Sequence, residues 1–249
     1  MTRSITMDAV FNYLIITFLF VAQTDALTFT RTSTTFAKFP RWNACVNSSI
    51  SFEFKTSARD ALLLYTDDNG SFDYMEVMLV DGSVRLRMNI VDGKDGTVEM
   101  RLGLRLNDLR WHRVKLQRNR METTLYVDNV HDSRVAFGSD FQFGNTETNN
   151  YVYLGGLPTI YYQPNSPKLL NLSLPTAFFE RRYEGQLRNI IYGNCTCRPQ
   201  RAEMMDSDSV SNVPREACDV KNDCGKCLCI SDDDGPGCQC VGFDCPEGE

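Results

Sequence analysis

Histidine and tryptophan are scarce in this chain of 249 residues, with two of each. The sequence also lacks the H-E-x-x-H pattern, the G-x-S-x-G pattern and a phosphate-binding glycine loop. His112 stands at the same alternating positions as the apolar residues Val114 and Leu116, which favours a structural role. His131 has no catalytic motif near it. The closest acidic groups, Asp67-Asp68 and Asp92/Asp95, fall in predicted turns, whereas a glycosidase needs two carboxylates across its sugar. The sequence therefore predicts that the chain is not an enzyme.

A second long apolar run is also missing. The first run, 9–22, follows a weakly basic start at Arg3 and precedes a small-x-small site at 24–26. This layout is typical of a secretory signal peptide over 1–26. A membrane anchor is the alternative, but about 20 apolar residues are needed to span a bilayer. We expect a secreted or extracellular chain with no membrane span after signal removal, or a cell-surface ectodomain if the chain is a fragment rather than a short isoform.

Neither half of the chain has a strong excess of positive charge. Residues 27–200 hold 21 Lys/Arg and 18 Asp/Glu, a net of +3, whereas 201–249 hold 4 and 12, a net of −8. The body is not basic enough to suggest nucleic acid as a partner. The acidic, serine-rich stretch 200–217 is interpreted as a linker.

Cysteine is abundant by contrast, with ten residues, seven of them between Cys218 and Cys245. An even count in an exported chain predicts disulfides, and so short a segment needs cross-links in place of a core. Zinc held by Cys224-x2-Cys227 is the alternative. Four Asn-x-Ser/Thr sequons predict glycan acceptors in surface loops; they are Asn47, Asn69, Asn171 and Asn194.

Strand-like alternation dominates the body of the chain and is clearest over 106–130. Val114 and Leu116 alternate with polar residues, a charged turn follows, and Leu125 and Val127 resume the pattern. A period of two with one apolar face predicts a β-hairpin packed on one side. Many short strands at roughly ten-residue intervals predict an all-β sandwich or barrel. The inward residues are Val84, Leu86, Met88, Val114, Leu116, Leu125 and Val127.

Two further expectations concern surfaces. The proline-rich stretch 157–182 has little periodicity, so we expect a long surface connection there. Several basic residues are predicted to point outward from alternating strands: Arg85, Arg87, Arg101, Arg113, Lys115 and Arg118. If their strands are neighbours, these residues form a basic face for sulfated glycans. The alternative is an ordinary solvated face.

Four short stretches carry a family resemblance. They are Trp111-His112-Arg113-Val114, Leu125-Tyr-Val-Asp128, Leu154-Gly-Gly-Leu-Pro158 and Tyr183-Glu-Gly-Gln-Leu-Arg-Asn189. Together they resemble the signature of laminin G-like (LNS) domains. Three more stretches make the match closer to the first such domain of the long (alpha) neurexins: Phe39-Pro-Arg-Trp-Asn-Ala44, Phe72-Asp-Tyr-Met-Glu-Val-Met-Leu79 and Pro167-Lys-Leu-Leu-Asn-Leu-Ser-Leu174. The resemblance implies a concanavalin-like jelly-roll β-sandwich of about a dozen strands over 27–199. It also implies an extracellular adhesion or receptor module that binds protein partners at synaptic contacts. A secreted glycan- or matrix-binding module is the alternative.

The segment 218–249 resembles the EGF-like repeat that follows this domain in the same family. Cys229-x8-Cys238-x-Cys240 fits the second half of the EGF pattern, although Cys227 is extra and the last interval is short. The resemblance implies three disulfides: Cys218–Cys229, Cys224–Cys238 and Cys240–Cys245. It leaves open the pairing of four cysteines, namely Cys45, Cys195, Cys197 and Cys227.

A calcium site at the rim of the sandwich is a further implication of the resemblance. The family ligands fall on the Asp73 carboxylate, the Ile90 carbonyl and, as the best candidate in 139–150, Asn145. Carboxylate and carbonyl oxygens suit this hard cation. Ordinary turn residues in solvated loops are the alternative.

Overall fold

A computed structural model describes residues 26–42, 47–90, 97–136, 149–162, 172–193, 199–212, 228–232 and 235–239. Almost all regular structure in these ranges is antiparallel β-sheet. The described helices are two short 3-10 turns, Thr159–Tyr162 and Pro175–Phe179. None of the described helices is long or apolar enough to cross a membrane. The all-β prediction is therefore confirmed.

The first sheet has eight strands, hydrogen-bonded in the order β10-β9-β8-β3-β12-β1-β15, with β13 added beside β12. Its strands are β1 (Ala26–Phe29), β3 (Asn47–Lys55), β8 (His112–Asn119), β9 (Glu122–Val127), β10 (Val130–Val135), β12 (Gly185–Gly193), β13 (Pro199–Arg201) and β15 (Val210–Asn212). Ala26, which the sequence analysis places last in the signal peptide, opens β1 and pairs with Arg188. The other residues of the predicted signal peptide, 1–25, lie outside the described residues, so the signal stays a prediction.

The second sheet has seven strands in the order β14-β2-β11-β4-β5-β6-β7. Its strands are β2 (Phe36–Phe39), β4 (Ala61–Asp67), β5 (Tyr74–Val80), β6 (Ser83–Asn89), β7 (Thr97–Leu102), β11 (Val152–Leu154) and β14 (Asp206–Asp208). The two sheets thus contain fifteen strands among the described residues, more than the dozen expected, because short pieces of 199–212 add to both.

Two of the predicted hairpins form with tight two-residue turns, and the predicted turn over 92–96 lies outside the described residues. Asp81 and Gly82 both have positive φ, 51° and 71°, and connect β5 to β6. Glycine suits this turn, because it adopts a positive φ readily and because a Cβ on Gly82 would force the Asn107 side chain to move. The turn between β8 and β9 contains Arg120, also at positive φ, and sets the pairing of Leu116 with Leu125. The central hairpin of the sequence analysis is confirmed.

The main core lies between the two sheets. All seven residues predicted to point inward are at most 1% exposed and belong to this core. They are joined by Ile50, Phe52 and Phe54 from β3. Because side chains alternate along each strand, one apolar face per strand is sufficient to fill this layer.

A second apolar cluster covers the outer face of the seven-stranded sheet. Leu62, Tyr65 and Met78 point outward from β4 and β5 and pack against residues that follow β11. Those residues are Leu157, Tyr161, Leu172, Ala177 and Phe178. The prediction of a surface connection over 157–182 is therefore wrong for its described parts, because their buried side chains pack on the outer face of the second sheet. This cover explains why β4 is apolar on both faces.

The segment 199–212 links the two sheets at one edge. Asp206–Asp208 pairs with β2 in the second sheet, and after Ser209, at φ 56°, Val210–Asn212 pairs with β1 in the first sheet. This part of the predicted acidic linker, 200–217, is therefore hydrogen-bonded strand. Short polar strands suit a sheet edge, because they complete the ladder without adding an apolar surface.

A third, two-stranded sheet is formed by β16 (Leu228–Asp232) and β17 (Gly235–Gln239). Cys238 is disulfide-bonded and stands opposite Cys229 in the backbone register. The cysteines at 45, 195, 197, 218, 224, 227, 240 and 245 lie outside the described residues. The implied disulfide pairs, and with them the EGF-like pattern, remain predictions.

We expect Leu116→Ala to lower the free energy of unfolding by about 2–5 kcal/mol, because it opens a cavity between the sheets. Chemical denaturation of the full chain measures this loss. The matched control is Lys115→Ala on the opposite face of the same strand, for which we expect a change below about 1 kcal/mol. Equal losses for the two variants would contradict the assignment of the inward face.

Candidate functional site

Two of the three predicted calcium ligands meet at one end of the second sheet. Asp73 directly precedes β5 and Ile90 directly follows β6, and the pairing of Tyr74 with Asn89 places them opposite each other. Asp73 is buried, at 8% exposure, and its backbone carbonyl accepts a hydrogen bond from the Asp68 amide. We call Asp73, Ile90 and the nearby Arg118 the Asp73 rim. The third predicted ligand, Asn145, lies outside the described residues.

Arg118 is part of this rim because it points into the sandwich. Its guanidinium nitrogens lie 3.2 Å from the Thr123 hydroxyl and 2.8 Å from the Arg120 carbonyl, and the residue is 1% exposed. Burial lowers the pKa of Arg118 to about 10, and the negative charge of Asp73 opposes that change. The prediction that Arg118 points outward is wrong. In the sequence, Arg118 stands two residues after Leu116 and four after Val114, and this spacing along a strand indicates the inner face.

The donor set of the Asp73 rim fits a calcium ion in part. A carboxylate and a backbone carbonyl are oxygen ligands of the kind that calcium takes. The described residues contain no group of three or more His, Cys, Asp or Glu side chains that could hold a metal. The Arg118 guanidinium, which interacts with Asp73, adds a fixed positive charge that opposes a second cation.

Asp67 and Asp68 fix the loops beside this rim. The Asp67 carboxylate accepts hydrogen bonds from the Tyr65 hydroxyl, the Ser173 amide and the Asn69 amide. Asp68 accepts bonds from the Ser173 hydroxyl at 2.7 Å and from the amides of 71 and 72. Burial raises the pKa of Asp67 despite these bonds. The pair is therefore a buried anchor that joins the loop after β4 to the cover of the second sheet.

His112 has a structural role, as its parity predicts. Its Nδ1 lies 2.8 Å from an Asp128 carboxylate oxygen, and its Nε2 lies 2.9 Å from Asp108. The His112 hydrogen bond lowers the pKa of Asp108. Because both ring nitrogens contact carboxylates, the imidazole joins the start of β8 to the loop before it and to the turn after β9.

The residues of the family signature also support the fold. The Tyr183 hydroxyl lies 3.0 Å from the Lys55 carbonyl and 2.9 Å from that of Gln186. Arg188 donates to Glu53 at 2.7 Å, and its guanidinium carbon lies 4.1 Å from the centre of the Trp111 ring. This ion pair and cation–π contact cover the outer face of the first sheet beside the β12 bulge. The signature thus identifies the fold rather than a ligand site.

The basic residues do not form one face. Arg85, Arg87 and Arg101 lie on β6 and β7 of the second sheet, whereas Arg113 and Lys115 lie on β8 of the first. The outer faces of a sandwich point in opposite directions, so no single sulfated chain contacts both groups across the strands. The condition of neighbouring strands is met for Arg85, Arg87 and Arg101 on β6 and β7, but not for the whole predicted set.

Two of the arginines on the second sheet form ion pairs with Glu76. Its side chain is fully buried, with one oxygen 2.7 Å from Arg87 and 3.6 Å from Arg85. Burial raises the pKa of the Glu76 carboxyl, and the charge of Arg87 only partly offsets this. Arg85 and Arg87 therefore partner a buried carboxylate.

Two of the four predicted glycan acceptors lie among the described residues. Asn47 is the first residue of β3. Asn69 is exposed in the turn after β4, with φ of 63°. Asn171 and Asn194 lie outside the described residues. Whether any of the four carries a glycan remains a prediction.

Comparison with known proteins defines the class to which this fold belongs. The family model for the laminin G domain matches residues 54–194, more than half of the chain. The chain therefore belongs to the laminin G domain family, as its signature stretches indicate.

Within that family, neurexins are among the proteins to which this chain is similar in sequence. It is 35% identical to Neurexin 1 of Drosophila melanogaster over 231 residues, which is 82% of this chain and 12% of that protein. It is 32% identical to Neurexin-2 of Homo sapiens over 173 residues, 69% of this chain and 10% of the relative. The chain thus spans about an eighth or less of the relatives that it matches.

Two solved structures share the fold. The LG1-3 region of the laminin alpha2 chain matches with a TM-score of 0.60 and 21% identity, covering 76% of this chain and 34% of that one. Domains LG4-5 of the mouse laminin alpha1 chain match with a TM-score of 0.57 and 18% identity, covering 76% and 46%. The sandwich architecture is therefore that of laminin G domains.

The raised pKa of Glu76 predicts a pH dependence of stability. The folded state holds the Glu76 proton more tightly than the unfolded state, so this carboxyl makes the free energy of unfolding fall as pH rises from its ordinary pKa of 4.5 to the raised value. We expect Glu76→Gln to remove that fall, so the variant gains stability relative to wild type across this range.

Urea denaturation at a series of pH values between about 4 and 7 measures the difference. The control is Glu99→Gln, which removes an exposed carboxylate opposite Arg87 on the neighbouring strand. If the two variants show the same pH profile, the burial of Glu76 is not the cause.

Proposed function

We propose that this chain is an extracellular recognition module that binds a protein partner, as a neurexin-like part of a cell-adhesion or receptor ectodomain. Membership of the laminin G domain family, together with 35% identity to a neurexin over 82% of the chain, carries the proposal. The proposal includes a role at synaptic contacts. Because the chain covers only about an eighth of that neurexin, partners of the whole relative are not assigned to it.

Three sequence features support an extracellular location. They are the signal-peptide layout over 1–26, the four sequons and the cysteine-rich segment 218–249. In this proposal the latter is an EGF-like module, and the β16–β17 hairpin with its disulfide-bonded Cys238 is compatible with a small cross-linked unit. A glycan- or matrix-binding module is the alternative function, which the division of the basic residues between two faces weakens.

We further propose that calcium, when bound, neutralises carboxylate charge at the Asp73 rim and contributes to partner binding there. The Asp73 carboxylate and the Ile90 carbonyl would hold the ion, with Asn145 as the expected third ligand. Asp73 sits at the start of a core strand, so its position is set by the sheet rather than by a loop. The charge of Arg118, which interacts with that of Asp73, would compete with a bound cation.

Calcium titration by calorimetry tests this rim. For the wild type we expect binding with a Kd of about 10⁻⁴–10⁻³ M, as in other extracellular calcium sites with few ligands. Asp73→Ala should abolish the heat, and Arg118→Met should tighten binding, because it removes a nearby positive charge without shortening the side chain much.

The control is Asp81→Ala, at the opposite end of the β5–β6 hairpin, which should bind calcium as the wild type does. Thermal unfolding without calcium checks that each variant is folded. Equal heats from the wild type and Asp73→Ala would exclude the site.

A cell-surface binding assay tests the proposed function. We expect the secreted full chain to bind cultured neurons, and protease treatment of the cells to remove this binding, because the partner is a protein. Binding should survive enzymatic removal of heparan sulfate. Flow cytometry of the labelled chain measures both effects. Loss with heparan sulfate alone would instead support the glycan-binding alternative.

A further inference from the structure

A cleft on the outer side of the second sheet has the lining of a carbohydrate site. It encloses about 290 Å³ between the start of β11 and the end of β2. Aromatic, amide and cationic side chains surround it: Lys38, Arg41, Asn69, Asn150, Tyr151, Tyr153 and Tyr161. We call it the tyrosine cleft. Its volume is at the lower end for small-molecule pockets, which are about 300–1,000 Å³, and so suits one or two sugar rings.

The floor of the tyrosine cleft is rigid. The Tyr153 and Tyr161 hydroxyls lie 3.1 Å apart, and the Asn150 amide donates to the Tyr161 hydroxyl at 3.0 Å. All three residues are buried, at 4–6% exposure, and the two rings pack edge to face. Burial raises the pKa of both hydroxyls, so they remain neutral hydrogen-bonding groups.

One wall of the cleft combines an aromatic ring with two cations. The Lys38 ammonium lies 3.8 Å from the centre of the Tyr151 ring, and the Arg41 guanidinium carbon lies 5.4 Å from it. These contacts hold N–H donors beside a half-buried ring. Sugars need this combination, because they present apolar C–H faces to rings and hydroxyl oxygens to donors.

The mouth of the cleft holds a predicted glycan acceptor. Asn69 begins an Asn-Gly-Ser sequon, lines the cleft and is exposed. Its turn is fixed, because Asn69 and Gly70 both have positive φ, and the Asp67 and Asp68 carboxylates accept the amides of Asn69 and Ser71. A glycan at this position starts within the cleft rather than at the end of a mobile loop.

We propose that the N-linked glycan of Asn69 folds back into the tyrosine cleft, where its first N-acetylglucosamine units contact the Tyr151 wall. Attachment forms a bond between Asn69 Nδ2 and the sugar's anomeric carbon. The carbon–oxygen bond to the diphosphate of the lipid-linked donor breaks, and the nitrogen's lost proton neutralises charge on that leaving group. The proposal rests on the acceptor prediction for Asn69 and is independent of the recognition function.

The other described sequon offers a matched comparison. Asn47 begins β3 in the first sheet and does not line this cleft. A glycan at Asn47 starts outside the tyrosine cleft, so any stabilisation that it gives should be insensitive to changes in that cleft.

A double-mutant comparison of the secreted full chain tests the proposal. Glycopeptide mass spectrometry first measures occupancy of Asn69, which we expect to be high. Asn69→Gln should then lower the Tm by roughly 2–4 °C, the shift that corresponds to about 1 kcal/mol in a chain of this size. In a Tyr151→Leu background the same change should lower the Tm less, because the wall that the glycan contacts is gone and only the backbone cost of Gln at the positive φ of residue 69 remains. Asn47→Gln should give the same shift in both backgrounds.

Two further measurements separate a tethered glycan from other causes. Trimming the glycan enzymatically to its first sugar should keep most of the Tm difference, and an NMR contact between an acetamido methyl group and the Tyr151 ring should remain. The proposal is overturned if Asn69 is unoccupied, or if Asn69→Gln lowers the Tm equally in both backgrounds. It is also overturned if free N-acetylglucosamine oligomers bind the wild-type and Asn69→Gln chains equally well, because the cleft then serves an external saccharide.

Discussion

The dry layer between the two sheets is the constraint on which the rest of the molecule depends. Val84, Leu116 and Leu125 are fully buried there, and strand alternation leaves only every second side chain for the surface. Burial at about 25 cal/mol per Å² of apolar area makes this layer the main source of stability. It also fixes the register of each strand, since a slip by one residue would turn an entire face toward water.

That register also sets the geometry of the Asp73 rim. Asp73 and Ile90 face each other because the β5–β6 hairpin is pinned by its turn at one end and by inward Met75 and Met88 along its length. The same layer brings Arg118 to the rim, where its charge meets that of Asp73. A cation site at this position would therefore be balanced between one fixed negative and one fixed positive group, and both are set by the core.

The second sheet is organised differently from the first, because it is buried on both faces. Described residues that follow β11 cover Leu62, Tyr65 and Met78, and Glu76 is buried in the same sheet with its two arginines nearby. The first sheet instead covers its outer face with the Arg188–Glu53 pair and Trp111. The two outer faces thus carry different chemistry among the described residues, and the tyrosine cleft lies beside the face that has this cover.

Local pattern was sufficient to predict the all-β class, the central hairpin, the Asp81-Gly82 turn and the inward set, because each depends on a period of two or on a backbone conformation that few residues adopt. The inner position of Arg118 was also readable from parity, although charge suggested the opposite. Tertiary structure alone decided that the described parts of 157–182 cover a sheet, that 206–212 joins both sheets, and that the basic strand residues are divided between the two sheets. These outcomes depend on which strands become neighbours, and pairing between distant segments leaves no periodic mark in the sequence.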